Sequence, residues 1–122
     1  MTKNRILLTI LAMIATALSV FSTPNEIVVH TGGAGSGYNH LYVEPPYVTY
    51  DEELNELYVY FGSTSTIDLE YLDSTGSPNY FVYGESHVGY TSTIYTGLPA
   101  GYYTITIHSI YGFTYTGNFT VM

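Results

Sequence analysis

Strict two-residue alternation over the last quarter of the chain is the feature that most limits its fold. Gly97-Leu98-Pro99-Ala100-Gly101 leads into Tyr102-Tyr103-Thr104-Ile105-Thr106-Ile107-His108. After a turn at Tyr111-Gly112, the chain continues as Phe113-Thr114-Tyr115-Thr116-Gly117-Asn118-Phe119-Thr120-Val121. β-Branched and aromatic residues at period two on both sides of a turn predict a hairpin. Tyr103, Ile105 and Ile107 share one face of its first strand. Phe113, Tyr115, Phe119 and Val121 share one face of its second, with Gly117 in register. A hairpin with one apolar face needs a second sheet to cover it, so upstream segments must supply one.

They do so with the same period. Tyr47-Val48-Thr49-Tyr50 follows Pro45-Pro46, and the prolines mark an edge strand because they donate no ladder hydrogen bond. In Leu57-Tyr58-Val59-Tyr60-Phe61, Leu57, Val59 and Phe61 share one face and Tyr58 and Tyr60 the other. In Thr66-Ile67-Asp68-Leu69-Glu70-Tyr71-Leu72, Ile67, Leu69 and Tyr71 point inward while Asp68 and Glu70 face water. Residues 73–78 are turn chemistry. Residues 79–83 are a strand ending at Gly84, residues 84–89 a loop carrying Glu85 and His87, and residues 90–96 another strand. About seven short strands at roughly 8–12-residue spacing, with no amphipathic helix, predict an all-β, antiparallel, immunoglobulin-like sandwich. The inter-sheet cysteine pair and core tryptophan of antibody domains are both absent.

The first 22 residues read differently. Lys3 and Arg5 precede an apolar run from Ile6 to Val20, and small residues follow before Pro24. This is a secretory signal peptide pattern, shorter than the ~20 apolar residues of a membrane span. The expected localisation is therefore the periplasm or the cell exterior, with no membrane attachment after cleavage. Residues 23–45 are expected to hold a short strand (Glu26 to His30) and a glycine-rich linker, and residues 46–122 the sandwich. The linker, Thr31-Gly32-Gly33-Ala34-Gly35-Ser36-Gly37, lacks the lysine and following helix of a phosphate-binding loop.

Charge narrows the partners. Lys3 and Arg5 are the two cations of the chain, and all ten carboxylates lie at or beyond Glu26. The exported domain would carry ten acids and no cation, a formal −10. Nucleic acid is excluded as a partner by repulsion. The absence of cysteine rules out disulfides and a lipoprotein anchor.

The turn with Asp73, Gly76 and Pro78, the run Gly97-Leu98-Pro99-Ala100-Gly101-Tyr102-Tyr103-Thr104-Ile105 and the run Tyr115-Thr116-Gly117-Asn118-Phe119 carry a resemblance. Over roughly residues 46–121 the chain resembles a family of small secreted Bacteroidota-type β-sandwich proteins of unknown function. Leu-Pro-x-Gly-x-Tyr also occurs in C-terminal secretion-sorting domains of the same bacteria. Those end in a lysine-bearing strand, whereas this chain ends Phe119-Thr120-Val121-Met122. The resemblance implies a fold and a compartment, and it brings no catalytic residues.

Enzyme signatures are missing. His30, His40, His87 and His108 are ten or more positions apart, without the short paired spacing of a metal site, and no Gly-x-Ser-x-Gly occurs. His108 falls on a polar strand face with Thr104 and Thr106. No cofactor is expected. Asp51, Glu52, Glu53 and Glu56 are the densest acidic cluster and the candidate calcium ligands, without a calcium-loop pattern. Asp73-Ser74-Thr75 resembles the O-glycosylation acceptor motif of that bacterial group, making Ser74 and Thr75 candidate modification sites. The fifteen tyrosines are the compositional anomaly. Tyr71, Tyr103 and Tyr115 fall on inward faces, whereas Tyr58, Tyr60 and Tyr102 fall on outward ones. Tyrosine offers a flat apolar ring and a hydroxyl at low entropic cost. The expected function is non-catalytic binding of a glycan or surface protein through Tyr58, Tyr60 and Tyr102. The alternative is assembly by strand pairing, since no lysine guards a sheet edge and self-association through an edge strand is open.

Overall fold

The computed structural model describes residues 25–27, 29–32 and 43–122. The expected signal peptide, most of the expected glycine-rich linker and His40 lie outside the described residues. Nine strands occur, and among the described residues there is no helix, so none that could cross a membrane. They are β1 (Asn25–Glu26), β2 (His30–Gly32), β3 (Tyr47–Asp51), β4 (Glu56–Phe61), β5 (Ser65–Leu72), β6 (Pro78–His87), β7 (Thr91–Thr96), β8 (Gly101–Ser109) and β9 (Thr114–Val121). Two antiparallel sheets form, ordered β1-β3-β4-β7 and β2-β9-β8-β5-β6. The seven principal strands, β3 to β9, make the expected sandwich. β1 and β2 are short additions, one to each sheet.

Alternation places the core where the sequence puts it. Leu57, Val59 and Phe61 of β4 face Ile67 and Leu69 of β5 and Ile105 and Ile107 of β8, all essentially inaccessible to solvent. Tyr103 is fully buried between two rings, Tyr71 at 4.8 Å and Phe119 at 5.0 Å. Such ring pairs contribute about 0.5–1.5 kcal/mol each beyond the area they bury. Among the described residues no buried side-chain polar atom is left without a partner.

The Leu-Pro-x-Gly-x-Tyr run has a structural explanation. Leu98 is buried, and the Tyr103 hydroxyl donates to the Pro99 carbonyl at 2.5 Å. This is a tyrosine corner, which fastens the crossover between sheets to the start of the strand that follows. Asn55 ties the β3–β4 turn to the same crossover. It accepts from the Tyr50 hydroxyl at 2.9 Å and donates to the Leu98 carbonyl at 3.0 Å.

Three sequence expectations need adjustment. The single strand expected over Glu26 to His30 is two, β1 and β2, in different sheets, with Ile27 and Val29 in neither. Residues 84–87 are not a loop: β6 runs on to His87, with Glu85, Ser86 and His87 opposite Ile67, Thr66 and Ser65. Gly84, at φ 62°, absorbs an irregularity in register, and its N–H donates to Asp68 Oδ1 at 2.7 Å. The left-handed residue lets the strand kink and resume pairing. Thr31 and Gly32, expected in the linker, extend β2 and pair with Tyr115 and Thr114 of β9.

Candidate binding site

Antiparallel pairing sends three chain reversals to one end of the sandwich. Residues 62–64 join β4 to β5, residues 88–90 join β6 to β7, and residues 110–113 join β8 to β9. Val43 and Glu44 enter beside them on the way to β3. Together these segments line a groove of about 330 Å³, near the lower limit for ligand pockets.

Glycine lets the groove close up. A Cβ on Gly62 would lie 2.1 Å from the Glu44 carbonyl oxygen, and one on Gly89 2.9 Å from the Thr64 backbone nitrogen. Hydrogen bonds then fix the floor. The Ser63 and Ser109 hydroxyls share a buried bond at 2.8 Å, and the Gly89 N–H donates to Thr64 Oγ1 at 3.1 Å. The Ile110 N–H donates to the Thr64 carbonyl at 3.0 Å, and the Tyr111 N–H to Ser109 Oγ at 3.2 Å. The loops are thus a preorganised frame.

The rim is apolar and exposed. Val88 is 69%, Tyr90 78% and Ile110 66% accessible. Tyr90 also sits at φ 64°, a left-handed conformation that costs a bulky residue of order 1–3 kcal/mol. Its N–H donates to the Phe61 carbonyl at 2.7 Å, which holds it there. A strained, exposed aromatic at a groove mouth fits selection for contact with a ligand rather than for stability.

From this end the tyrosines continue onto the outer face of the four-stranded sheet. Tyr58 and Tyr60 lie there as expected, both half-buried. Tyr47 packs edge-on against Tyr58, with ring centroids 6.4 Å apart. The Tyr60 hydroxyl donates to Glu44 Oε2 at 3.3 Å. Partial desolvation first, then the Glu44 carboxylate, then Tyr90 and Tyr58, push the Tyr60 phenol above its ordinary range.

Tyr102 does not join them. It lies on the outer face of the other sheet, opposite Leu72 and Thr120 at the far end of the sandwich. Outward alternation is a property of each strand, and it carries no information on which sheet the strand enters. Asp51, Glu52, Glu53 and Glu56 are also at that far end. Asp51 Oδ1 accepts the N–H groups of Glu53 and Leu54, so it caps the hairpin turn. Among the described residues no three histidine or acidic side chains are gathered as a metal centre. Ser74 is exposed on the β5–β6 turn, whereas the Thr75 hydroxyl donates to Asp73 Oδ1 at 2.5 Å. Asp73 also accepts from the Thr75 and Ser77 N–H groups and from Asn79 Nδ2.

One cluster unites a carboxylate, an imidazole and a phenol. Glu85 Oε1 lies 2.5 Å from His87 Nε2 and accepts from the Tyr95 hydroxyl at 2.7 Å. His87 stacks on Phe61 at 4.4 Å. The cluster clasps β6 to β7 across the two sheets. Burial first, then the Glu85 carboxylate, push the Tyr95 phenol far up, the reverse of what an activated nucleophile needs.

The sequence reading missed Val88, Tyr90, Ile110 and Glu44 as site residues. A signal existed: two turns each carry a β-branched aliphatic beside a tyrosine, Val88-Gly89-Tyr90 and Ile110-Tyr111. Ordinary turns favour polar residues and glycine.

No protein-family model matches the chain, and no curated protein matches it either. Among solved structures, it is similar to a DUF3244-family protein with an immunoglobulin-like β-sandwich fold from Bacteroides vulgatus ATCC 8482. The TM-score is 0.55 and the identity 18%, covering 82% of this chain and all of that one. The expected likeness to small Bacteroidota-type β-sandwich proteins therefore holds in the fold.

Proposed function

We propose that this chain is an exported, non-catalytic binding module that takes a glycan or protein ligand at the loop end. The observation that carries the reading is the preorganised groove rimmed by exposed Val88, Tyr90 and Ile110, with Tyr90 held in a strained conformation. Immunoglobulin-type sandwiches offer such an end as a ready site, because loops from both sheets meet there over a rigid frame. The Tyr60–Tyr58–Tyr47 face extends it, and Tyr102 is excluded from it. The test is an amide-shift titration of isotope-labelled protein with soluble glycans and short peptides. Shifts at Gly62, Gly89 and Ile110 support the reading. Tyr90→Ala or Tyr60→Ala should then weaken the bound ligand at least tenfold, about 1.4 kcal/mol, while Tyr102→Ala leaves it unchanged. The opposite pattern would place the site on the other sheet.

One observation favours assembly as a second reading. β7, Thr-Ser-Thr-Ile-Tyr-Thr, has no charge, proline or glycine and pairs only with β4 among the described residues. β6, the facing edge, has Pro78, the Gly84 irregularity and Glu85, which discourage pairing. Multimers in light scattering that Ile94→Lys dissolves would support strand addition; a monomer at every concentration would reject it.

A further inference from the structure

The groove's charge and lining specify more than its existence. From Asn25 onward the chain supplies no lysine or arginine to pair with Glu44, and nine further carboxylates surround the domain. Glu44 and Tyr90 both line the groove, and the Tyr60 hydroxyl beside it donates to Glu44 Oε2 at 3.3 Å. Val43 and the exposed rim residues Val88 and Ile110 give the groove aliphatic surface, over a floor of Ser63 and Thr64. Aliphatic side chains beside one carboxylate and the exposed Tyr90 ring match a long apolar stem that ends in a cation.

Alternatives fit less well. A divalent metal wants several carboxylate or carbonyl oxygens, and among the described residues no three acidic or histidine side chains are gathered. An anionic ligand meets a field of its own sign. A guanidinium prefers a flat, forked partner, whereas a lysine hides four methylenes along apolar surface and presents a compact ammonium. Its charge would meet the Glu44 carboxylate and the Tyr90 ring, a cation–π contact stabilised by ~0.5–2 kcal/mol.

We infer that the groove receives a lysine side chain displayed by a partner protein, with Glu44, held by the Tyr60 hydroxyl, as its counter-ion and Tyr90 as its aromatic wall. This inference rests on the loop-end binding reading. The −10 domain would also draw a basic partner by long-range attraction, so association should slow as salt rises and the Debye length falls to ~8 Å near physiological ionic strength.

The experiment is an amide-shift titration of labelled protein with Nα-acetyl-lysine methylamide, run beside its norleucine and Nε-acetyl-lysine counterparts and a cello-oligosaccharide. The lysine compound should shift Gly62, Gly89 and Ile110 saturably, with millimolar affinity, a free energy of about −4 kcal/mol. Norleucine and Nε-acetyl-lysine should bind about fivefold more weakly, the equivalent of ~1 kcal/mol. Glu44→Gln should cost the lysine compound the same factor and leave norleucine unaffected. Tyr60→Phe, which removes the hydroxyl that holds Glu44, should cost less. Equal binding of lysine and norleucine, or binding of the sugar alone at these amides, overturns the lysine inference and leaves the binding reading standing. No shift at these amides with any probe overturns both.

Discussion

Tyr103→Phe deletes one oxygen and leaves the ring where it is. That ring is fully buried and stacked between Tyr71 and Phe119, so the packing of the variant should match the parent. What disappears is the donor to the Pro99 carbonyl. A net intramolecular hydrogen bond of this kind contributes about 1 kcal/mol. The abandoned acceptor decides whether the loss climbs further. Pro99 is exposed, so its carbonyl regains water and the desolvation penalty of a buried orphan does not apply. The expected loss is therefore ~1–1.5 kcal/mol, or roughly 4–10 °C in Tm for a domain of this size. Tyr103→Ala instead opens a cavity between two rings and should cost ~3–5 kcal/mol. Urea unfolding with unchanged m values would measure both. A phenylalanine variant as stable as the parent, alongside a severely damaged alanine variant, would refute the tyrosine-corner account and leave only packing.

Alkali supplies an independent check on the same atom. Burial first, then Tyr71 and Tyr50, push the Tyr103 phenol up to about 12, against about 10 in an unfolded chain. A folded-state value above the unfolded one means the contribution is complete below about pH 10 and is lost as pH rises toward about 12. Phenylalanine does not titrate. The stability gap between parent and Tyr103→Phe should therefore narrow between about pH 10 and about pH 12, and a widening gap would contradict the reasoning.

Three shorter predictions accompany it. Gly62→Ala would drive a Cβ against the Glu44 carbonyl; the displaced backbone should cost ~1–3 kcal/mol in urea unfolding and shift the amides around the groove even without ligand. Tyr95→Phe removes the donor to Glu85 Oε1 and should cost ~1–2 kcal/mol by the same assay, since the acceptor is a carboxylate. Hydrogen bonds from the Thr75 hydroxyl first, then from the Ser77 backbone, hold the Asp73 carboxyl below its usual range. A depressed folded-state value contributes stability above about pH 4 that is lost as pH falls, so Asp73→Ala should be destabilising at neutral pH and indistinguishable from the parent in acid.

The sandwich was legible because alternation and turn residues report local geometry. Each inward position assigned to β4, β5, β8 and β9 from the sequence is a core or core-packed position in the structure. The errors arise where a local signal has a non-local answer. Gly84 reads as a terminator, yet it is a left-handed residue inside a strand that the Asp68 carboxylate keeps in place. Gly32 reads as linker, yet its strand has a vacant partner on β9. Tyr102 alternates outward just as Tyr58 does, but sheet assignment depends on crossovers, which no period encodes. The groove was hidden for the same reason: Glu44, Gly62, Val88 and Ile110 are scattered over 67 positions of numbering and meet only through topology.

The two ends of the sandwich divide the work of the fold. At one end Asp51, Asn55, Asp73, Pro99 and Tyr103 use their polar atoms on the chain's own turns and crossovers, in hydrogen bonds that stabilise. At the other, the Ser63–Ser109 bond lies buried, and Val88, Tyr90 and Ile110 reach solvent beside Glu44 and Thr64. A protein selected for stability alone would invert that second arrangement, with polar turn residues outside and no tyrosine at φ 64°. The strained Tyr90 and the exposed Val88 and Ile110 around one groove are what support the loop end as the proposed binding surface. Glu44 beside it, in a domain without a single lysine or arginine from Asn25 on, is the charge that the proposed basic partner would complement.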